Sequence, residues 1–318
     1  MSGTTNLGNL LRINPLPLSA LPAHPALNGD ESSASNRPSL SEFTSAALDE
    51  GTALVSSIDQ KFKARSWKSS PPSSSKVQLF SRTVTASELS KVPWTAGPVP
   101  RQKPAPGDNT EEAWFARRSY HANDSNTNDA ASYSEFEEGL LEKHSEHEKE
   151  YTPDVYDAYE VLRWDVPAEN IGKYSHVNMR VVEMAHHIPA PLANRVFSVV
   201  VVTAKTSDTS FLVVQIPVDI RSLSGALYSN DRHLREGDTS IKRKKVILGV
   251  YASVEGVTLR HDNDRKDIEW IMGTTSDAKG WLPMSMQKMG VPGAVVKDVG
   301  LFLAWVKKQR EKKQTGTG

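Results

Sequence analysis

Between Met179 and Thr274 apolar residues recur with a period of two. Met179–Met184, Val196–Ala204, Phe211–Ile216, Val246–Val254 and Ile268–Thr274 are rich in β-branched and aromatic residues and divided by turn chemistry, so each reads as a strand. Thr206–Ser210 is a hairpin-sized loop, which makes its two neighbours antiparallel. The alternation predicts one apolar face, with Leu248, Val250 and Ala252 on one strand and Ile268, Trp270 and Met272 on another, while Ser253 and Glu269 point away.

The period becomes helical on both sides of this block. Ser39–Glu42 has capping-box spacing, and Leu40, Phe43, Ala47, Leu54, Ile58 and Phe62 follow at helical intervals, so an amphipathic helix is expected to about Arg65. Its polar face is acidic and hydroxyl-rich, which favours docking on the main domain over lying on a membrane. Near the C-terminus, Asp277–Gly280 reads as a turn, and Pro283 is suited to the first turn of a helix beginning near Leu282. Gly290, Pro292 and Gly293 are expected to interrupt that helix. Val295, Val299, Phe302 and Val306 form its core stripe; Leu301 and Trp305 form a second apolar flank that requires another contact, either neighbouring helices or a hydrophobic ligand.

The rest of the chain is less regular. Residues 1–38 carry Pro15, Pro17, Pro22 and Pro25 with no sustained period and read as a disordered tail; the amphipathic helix occupies 39–68, and Ser69–Ser75 is a linker by composition. A domain over 76–312 then begins with a strand at Val77–Thr85, a helical turn at Ala86–Leu89 and a proline-rich loop from Pro93 to Gly107. Trp114–His121 reads as a half-buried strand, and Ser132–Lys149 and Asp154–Trp164 as two helices. Residues 221–245 read as a mobile loop carrying the basic run Lys242, Arg243, Lys244 and Lys245.

Composition narrows the function. The 318 residues hold 38 Lys and Arg against 38 Asp and Glu, so no global charge draws the chain to nucleic acid, and the bases are not interleaved with aromatic residues. The sequence has no cysteine, which excludes disulfides, thiol nucleophiles and thiolate metal sites. No apolar run approaches the length of a spanning helix, and the expectation is a soluble cytoplasmic protein. There is no Gly-rich phosphate loop, Gly-x-Ser-x-Gly elbow or zinc-protease motif. His144 and His147, among Glu142, Glu146, Glu148 and Glu150, read as a solvated helix face rather than a metal site, and His186 and His187 point to opposite sides of the chain. Lys242 to Lys245 are the candidate contact with an anionic membrane surface.

Pro191–Phe197, leading into a strand, resembles the Pro-x-x-x-Arg-Asp-Phe segment of START lipid-transfer domains, and Ser276–Pro283 resembles their Asp-x-x-Gly-Trp-Ile-Pro approach to the terminal helix. Trp114–Ser119, His144–Pro153 and Gln287–Ala294 are similar to a fungal family of START-like domains of unknown function, a resemblance that spans Phe43 to Trp305. It implies an α+β helix-grip fold, a curved antiparallel sheet wrapped around a long C-terminal helix. The tunnel between them would bind, and transfer within the cell, a lipid or sterol without catalysis or cofactor. The candidate ligand contacts are Arg195, Leu248, Val250, Trp270, Met272, Met289, Leu301, Phe302 and Trp305. Val196 stands where the family has an acid after the arginine, so no local partner for Arg195 is implied. The alternatives are a polyketide-cyclase-like enzyme, which needs buried titratable groups in the cavity, and an interaction scaffold whose cavity is filled by side chains.

Overall fold

The computed structural model of the chain describes residues 7–27, 37–105, 111–167, 170–190, 192–233, 245–262, 265–279 and 284–316, with side chains for all of these except 261, 262, 265, 266 and 284–289. Among the described residues nine strands form one curved sheet: β1 (Lys63–Ser69), β2 (Lys76–Thr85), β3 (Glu111–Ala122), β4 (Val155–Trp164), β5 (Ser175–His186), β6 (Arg195–Ser207), β7 (Ser210–Pro217), β8 (Ile247–Asp262) and β9 (Arg265–Asp277). Their spatial order is β1-β2-β3-β9-β8-β7-β6-β5-β4. All neighbours are antiparallel, with one short parallel pairing of Arg195–Phe197 against Ile247–Gly249.

Helices cover both faces. On one face lies α1 (Leu40–Lys61), whose start is closed by the reciprocal Ser39–Glu42 capping box. Its Phe43, Ala47, Leu48 and Ile58 pack with Phe80, Val200, Val214 and Val254 of the sheet. On the other face lie the short α3 (Tyr133–Phe136), a π-helical turn at Glu137–Leu141, α4 (His144–Tyr151) and, beyond the one-turn α2 (Ala86–Leu89) in the numbering, the long C-terminal helix α5 (Met284–Gln314). There Val295, Val299, Phe302 and Val306 pack with Val77, Phe211, Val257, Ile268 and Trp270. This is a helix-grip arrangement with a second cover on the back of the sheet.

That second cover changes several expectations. Leu248, Val250 and Ala252 do not share a face with Ile268, Trp270 and Met272. The β8–β9 register sets Val257, Glu255, Ser253 and Tyr251 opposite Trp270, Met272, Thr274 and Ser276, so Ser253 joins the Trp270 side and the apolar even positions of β8 face α1. Both sides of these strands are buried, and alternation alone does not say which apolar set meets which helix.

Residues 7–27 of the expected disordered tail are packed rather than loose. Leu10, Leu11, Leu16 and Leu21 are buried. Glu50 accepts from the backbone N–H groups of Leu10 and Leu11, at 2.9 and 2.8 Å, and Arg101 donates to carbonyls of Asn9, Asn14 and Pro15. Arg12 Nη1 lies 2.5 Å from Glu112 Oε2, both side chains being almost fully buried. The amphipathic helix ends at Lys61 instead of continuing to residue 68, because β1 begins at Lys63. The expected linker 69–75 is the turn between β1 and β2: Ser70 Oγ donates to the Val296 carbonyl at 2.6 Å and accepts from Gly300 N at 2.9 Å. A Cβ at Gly300 would stand 2.1 Å from the Pro71 carbonyl oxygen, so only glycine allows this approach.

The second expected helix, Asp154–Trp164, is the edge strand β4. Register shifts after Val155 and Glu160 break its alternation, leaving Val155, Tyr159 and Leu162 at helix-like intervals of four and three. The Ser132–Lys149 segment keeps its Ser132–Glu135 capping box but is divided in two at Lys143, whose φ is 44°. In its π-helical turn, a Cβ at Gly139 would come within 2.5 Å of the Phe302 ring, so the turn accommodates α5. The strand Trp114–His121 is more buried than half, with Arg117, Ser119 and His121 all inside. Helix α5 runs without a break through Pro292. Of the expected mobile loop, residues 221–233 are tied down, since Glu183 accepts from the N–H groups of Tyr228 and Ser229, at 2.9 and 2.8 Å. Lys242, Arg243 and Lys244 lie outside the described residues. Among the described residues no helix is long and apolar enough to cross a membrane.

The N-terminal cover has a measurable weight. Arg12→Ala leaves Glu112 charged and buried with only Trp114 Nε1 and Ile13 N as donors, so it is expected to cost about 3–5 kcal/mol. Urea unfolding of the two proteins checks this; a loss below about 1 kcal/mol would show that residues 7–27 do not contribute to the core.

Candidate ligand-binding site

Under the first half of α5, the sheet and α4 leave a cavity of ≈ 390 Å³. Helix α5 meets it with Val291, Ala294, Val295 and Asp298, one stripe at helical spacing. Beyond Asp298 the stripe closes onto core: Phe302 is buried against Phe136 and Trp270, with ring centroids 4.9 and 5.2 Å apart. The sheet contributes Trp270, Met272 and Thr274 from β9 and Tyr251, Ser253 and Glu255 from β8. Phe197, Ile188 and His186 line the β5–β6 side.

The floor is a buried ion pair. Arg117 of β3 and Glu255 of β8 lie on the same face of the sheet, on either side of Met272, and the register places both opposite that residue. Arg117 Nη2 donates to Glu255 Oε1 at 3.0 Å, and Trp270 Nε1 donates to the same oxygen at 2.8 Å. The guanidinium carbon sits 3.9 Å from the Trp270 ring centroid, a cation–π contact in a desolvated site. Arg117 Nε and Nη1 are buried with no hydrogen-bond partner.

A second polar group faces this pair from α4. Tyr251 OH donates to Gln215 Oε1, Gln215 Nε2 lies 2.8 Å from His144 Nε2, and His144 Nδ1 lies 2.9 Å from the Leu140 carbonyl. These partners select the tautomer in which Nδ1 carries the proton and Nε2 accepts. Burial lowers the His144 pKa, against the pull of the Glu255 charge, and so keeps the ring neutral. The reading of His144 on a solvated face is therefore corrected: its ring is inside, since Leu140 and Gln215 together satisfy both nitrogens.

Glu148 and Asp298 complete the lining. Burial, with the charges of Asp298 and Glu255, pushes Glu148 up to about 8. Burial likewise pushes Asp298 up to about 6, with Arg117 opposing and Glu255 adding to the shift. Glu148 Oε2 is buried without a hydrogen-bond partner and lies 3.7 Å from His144 Nε2. On the opposite wall, burial pushes His186 down to about 4. Among the described residues no group of three or more His, Asp or Glu is placed to hold a metal ion.

Of the candidate contacts read from the sequence, Arg195, Trp270 and Met272 come to the cavity. Arg195 is buried, and with no acid in ion-pair contact among the described residues its guanidinium holds backbone instead, donating to the carbonyls of Ala278 at 2.7 Å, Ala193, and Lys279 at 3.4 Å. Leu248 packs on the other face of the sheet with Ala185, Val196 and Tyr228, and Val250 also lies outside the cavity lining. Leu301 is half-buried and off the cavity. Trp305 is covered by α4 rather than by ligand: its Nε1 donates to Glu150 Oε2 at 2.8 Å, and its ring lies 5.0 Å from that of His147. The Trp305 part of the second apolar flank thus meets neighbouring helical structure. The Met289 side chain lies outside the described residues. Sequence reasoning missed Arg117, Glu148, Glu255 and Asp298. The available signal was a charged residue within an apolar pattern, as with Asp298 between Val295 and Phe302.

The raised carboxyl of Glu148 has a sign. Above its ordinary value of 4.5 the unfolded chain loses this proton, while the folded chain keeps it to about 8, so stability falls as pH rises through that window and stays reduced above it. Asp298 adds the same sign from 3.8 to about 6. Glu148→Gln is expected to raise Tm at pH above the window and to flatten a slope that approaches about 1.4 kcal/mol per pH unit at its steepest. Thermal melts of both proteins across the window check this, and parallel curves would show that Glu148 is solvated.

The sequence matches a family described as proteins of unknown function, DUF3074, over residues 114–306. No curated protein matches it. Similar solved structures include the crystal structure of human STARD10, at 11% identity and a TM-score of 0.49, covering 84% of this chain and 82% of that one. Human StAR-related lipid transfer protein 5 is similar at 10% identity and a TM-score of 0.47, covering 85% of this chain and 100% of that one. A STAR-related lipid transfer protein fragment from Xanthomonas axonopodis is similar at 13% identity and a TM-score of 0.43, covering 76% and 98%.

Proposed function

The chain belongs to the DUF3074 family of proteins of unknown function, and from that premise we propose that it binds one hydrophobic small molecule, without covalent chemistry, in the cavity between the sheet and α5. The cavity itself is the observation that carries this reading. Its ≈ 390 Å³ falls within the range of about 300–1,000 Å³ typical of small-molecule sites, and the described side chains leave it open. Trp270, Met272, Phe197, Val291 and Val295 supply apolar wall, while a few convergent polar groups at one end give orientation. A lipid or sterol carried through the cytoplasm is the ligand and role that fit such a site.

Native mass spectrometry of the protein purified from its own cells tests the reading, with a co-purifying lipid expected. Trp270→Ala removes wall and is expected to lower lipid loading by more than its effect on stability explains. If loading is unchanged while the protein loses roughly 3–5 kcal/mol, Trp270 is core only.

Glu148 and Asp298, titratable and inside the cavity, favour a second reading, a polyketide-cyclase-like enzyme on the same fold. Chemical alteration of a bound ligand that stops in Glu148→Gln, with binding retained, separates catalysis from carriage.

Delivery requires a surface, and the basic run Lys242 to Lys245 is the proposed contact with anionic phospholipid. Lys245 is exposed two residues before β8. Each base near such a membrane is worth about 1 kcal/mol and is screened by salt. Changing all four to Gln is expected to weaken co-sedimentation with anionic liposomes at low salt and to leave ligand loading intact; sedimentation indifferent to salt would remove the idea.

A further inference from the structure

The charges at the polar end of the cavity are unbalanced. Arg117 and Glu255 neutralise one another, and Glu255 also accepts from Trp270. Glu148 from α4 and Asp298 from α5 are then left facing the cavity with no Lys or Arg within ion-pair distance among the described residues. His144 is the nearest base to Glu148, but Gln215 and Leu140 hold both of its nitrogens. Arg195, the other cation of the wall, is engaged with backbone carbonyls.

Two further observations point outward to a missing group. The Arg117 side chain is 1% exposed, yet its Nε and Nη1 lack acceptors. Glu148 Oε2 is buried and lacks a donor. A buried charged group left unpaired carries its full desolvation cost, so a ligand that offers an oxygen to Arg117 and N–H groups to the carboxyls recovers it.

Resting on the binding function proposed above, we infer that the ligand's polar end is a protonated amine beside a hydroxyl, and that the ligand class is a long-chain amino alcohol. A carboxylate or phosphate head would satisfy Arg117 but set its charge against Asp298, which is ionised near neutral pH. A simple alcohol serves Arg117 and leaves the acids without a cation. An ammonium group between Glu148 and Asp298, with the adjacent hydroxyl oxygen accepting from Arg117, meets all three, and the Tyr151 ring lining the same end adds a face on which a cation is favoured.

Calorimetric titration of the full chain with an aminododecanol, dodecanol and dodecanoate tests the inference near neutral pH. The amino alcohol is expected to bind at least about tenfold tighter than dodecanol, as one charge-assisted contact gives, with dodecanoate weakest. The double variant Glu148→Gln, Asp298→Asn keeps the side-chain shapes and is expected to bring the amino alcohol down to the affinity of the alcohol. Dodecanol or dodecanoate binding tightest overturns the amine assignment and leaves the binding function standing, as does a preference for the amine that persists in a folded double variant. If none of the three binds, the amino-alcohol assignment falls, and the binding function falls with it only where the purified protein also carries no lipid in native mass spectrometry. The ranking in the unaltered protein decides even where the variant does not fold.

Discussion

A nine-stranded sheet whose central strands are apolar on both sides must be covered twice, and the placement of the rest of the chain follows from that requirement. The valines of β6 alternate between the two sides: Val200 and Val202 belong to the core under α1, while Val199 and Val201 face the opposite way. Covering only the α5 side would leave the first set in water, at about 25 cal/mol for each Å² of apolar surface. Helix α1 meets most of that demand, and residues 7–27 close part of the rest through Leu10, Leu11 and Leu16. The buried Arg12–Glu112 pair fixes where this segment lies. The back of the sheet is thus a conventional core, and the front is free to hold a cavity.

On the front, α5 has two jobs divided along its length. From Val296 onward it is locked, with Phe302 and Trp305 against Tyr151 and Glu150 of α4 and Ser70 of the β1–β2 turn bound to Val296 and Gly300. Over residues 290–298 it meets the cavity with Val291, Ala294, Val295 and Asp298. Gly290 and Gly293 lie on this stretch with nothing near the position of a Cβ, so they contribute backbone freedom rather than close packing.

Polar chemistry inside this cavity depends on the strand register more than on any motif. Arg117 and Glu255 meet because β3 and β8 flank β9, so the pair exists only once three strands distant in sequence are aligned. Trp270 lies beneath the guanidinium and donates to the same carboxylate, which fixes the pair in a single geometry. The pair therefore orients the polar end of the site without supplying net charge, and the character of that end is left to Glu148 and Asp298.

Local patterns in the sequence determined most of the elements. The five period-two runs became β5 to β9, the Ser39–Glu42 and Ser132–Glu135 capping boxes formed where their spacing placed them, and the stripe Val295, Val299, Phe302 and Val306 became the buried face of α5. These signals are legible because each depends on neighbours within a few residues. Tertiary structure decided what depends on distant partners. The bulges of β4 gave an edge strand a helical spacing, and pairing with β5 overrode it. Burial of both sheet faces sent Leu248 and Val250 away from Trp270, since alternation records two sides without saying which helix covers each. The cavity's polar end was hidden for the same reason: Arg117, Glu148, Glu255 and Asp298 come from four elements, and only folding removes the water that would otherwise screen them from one another.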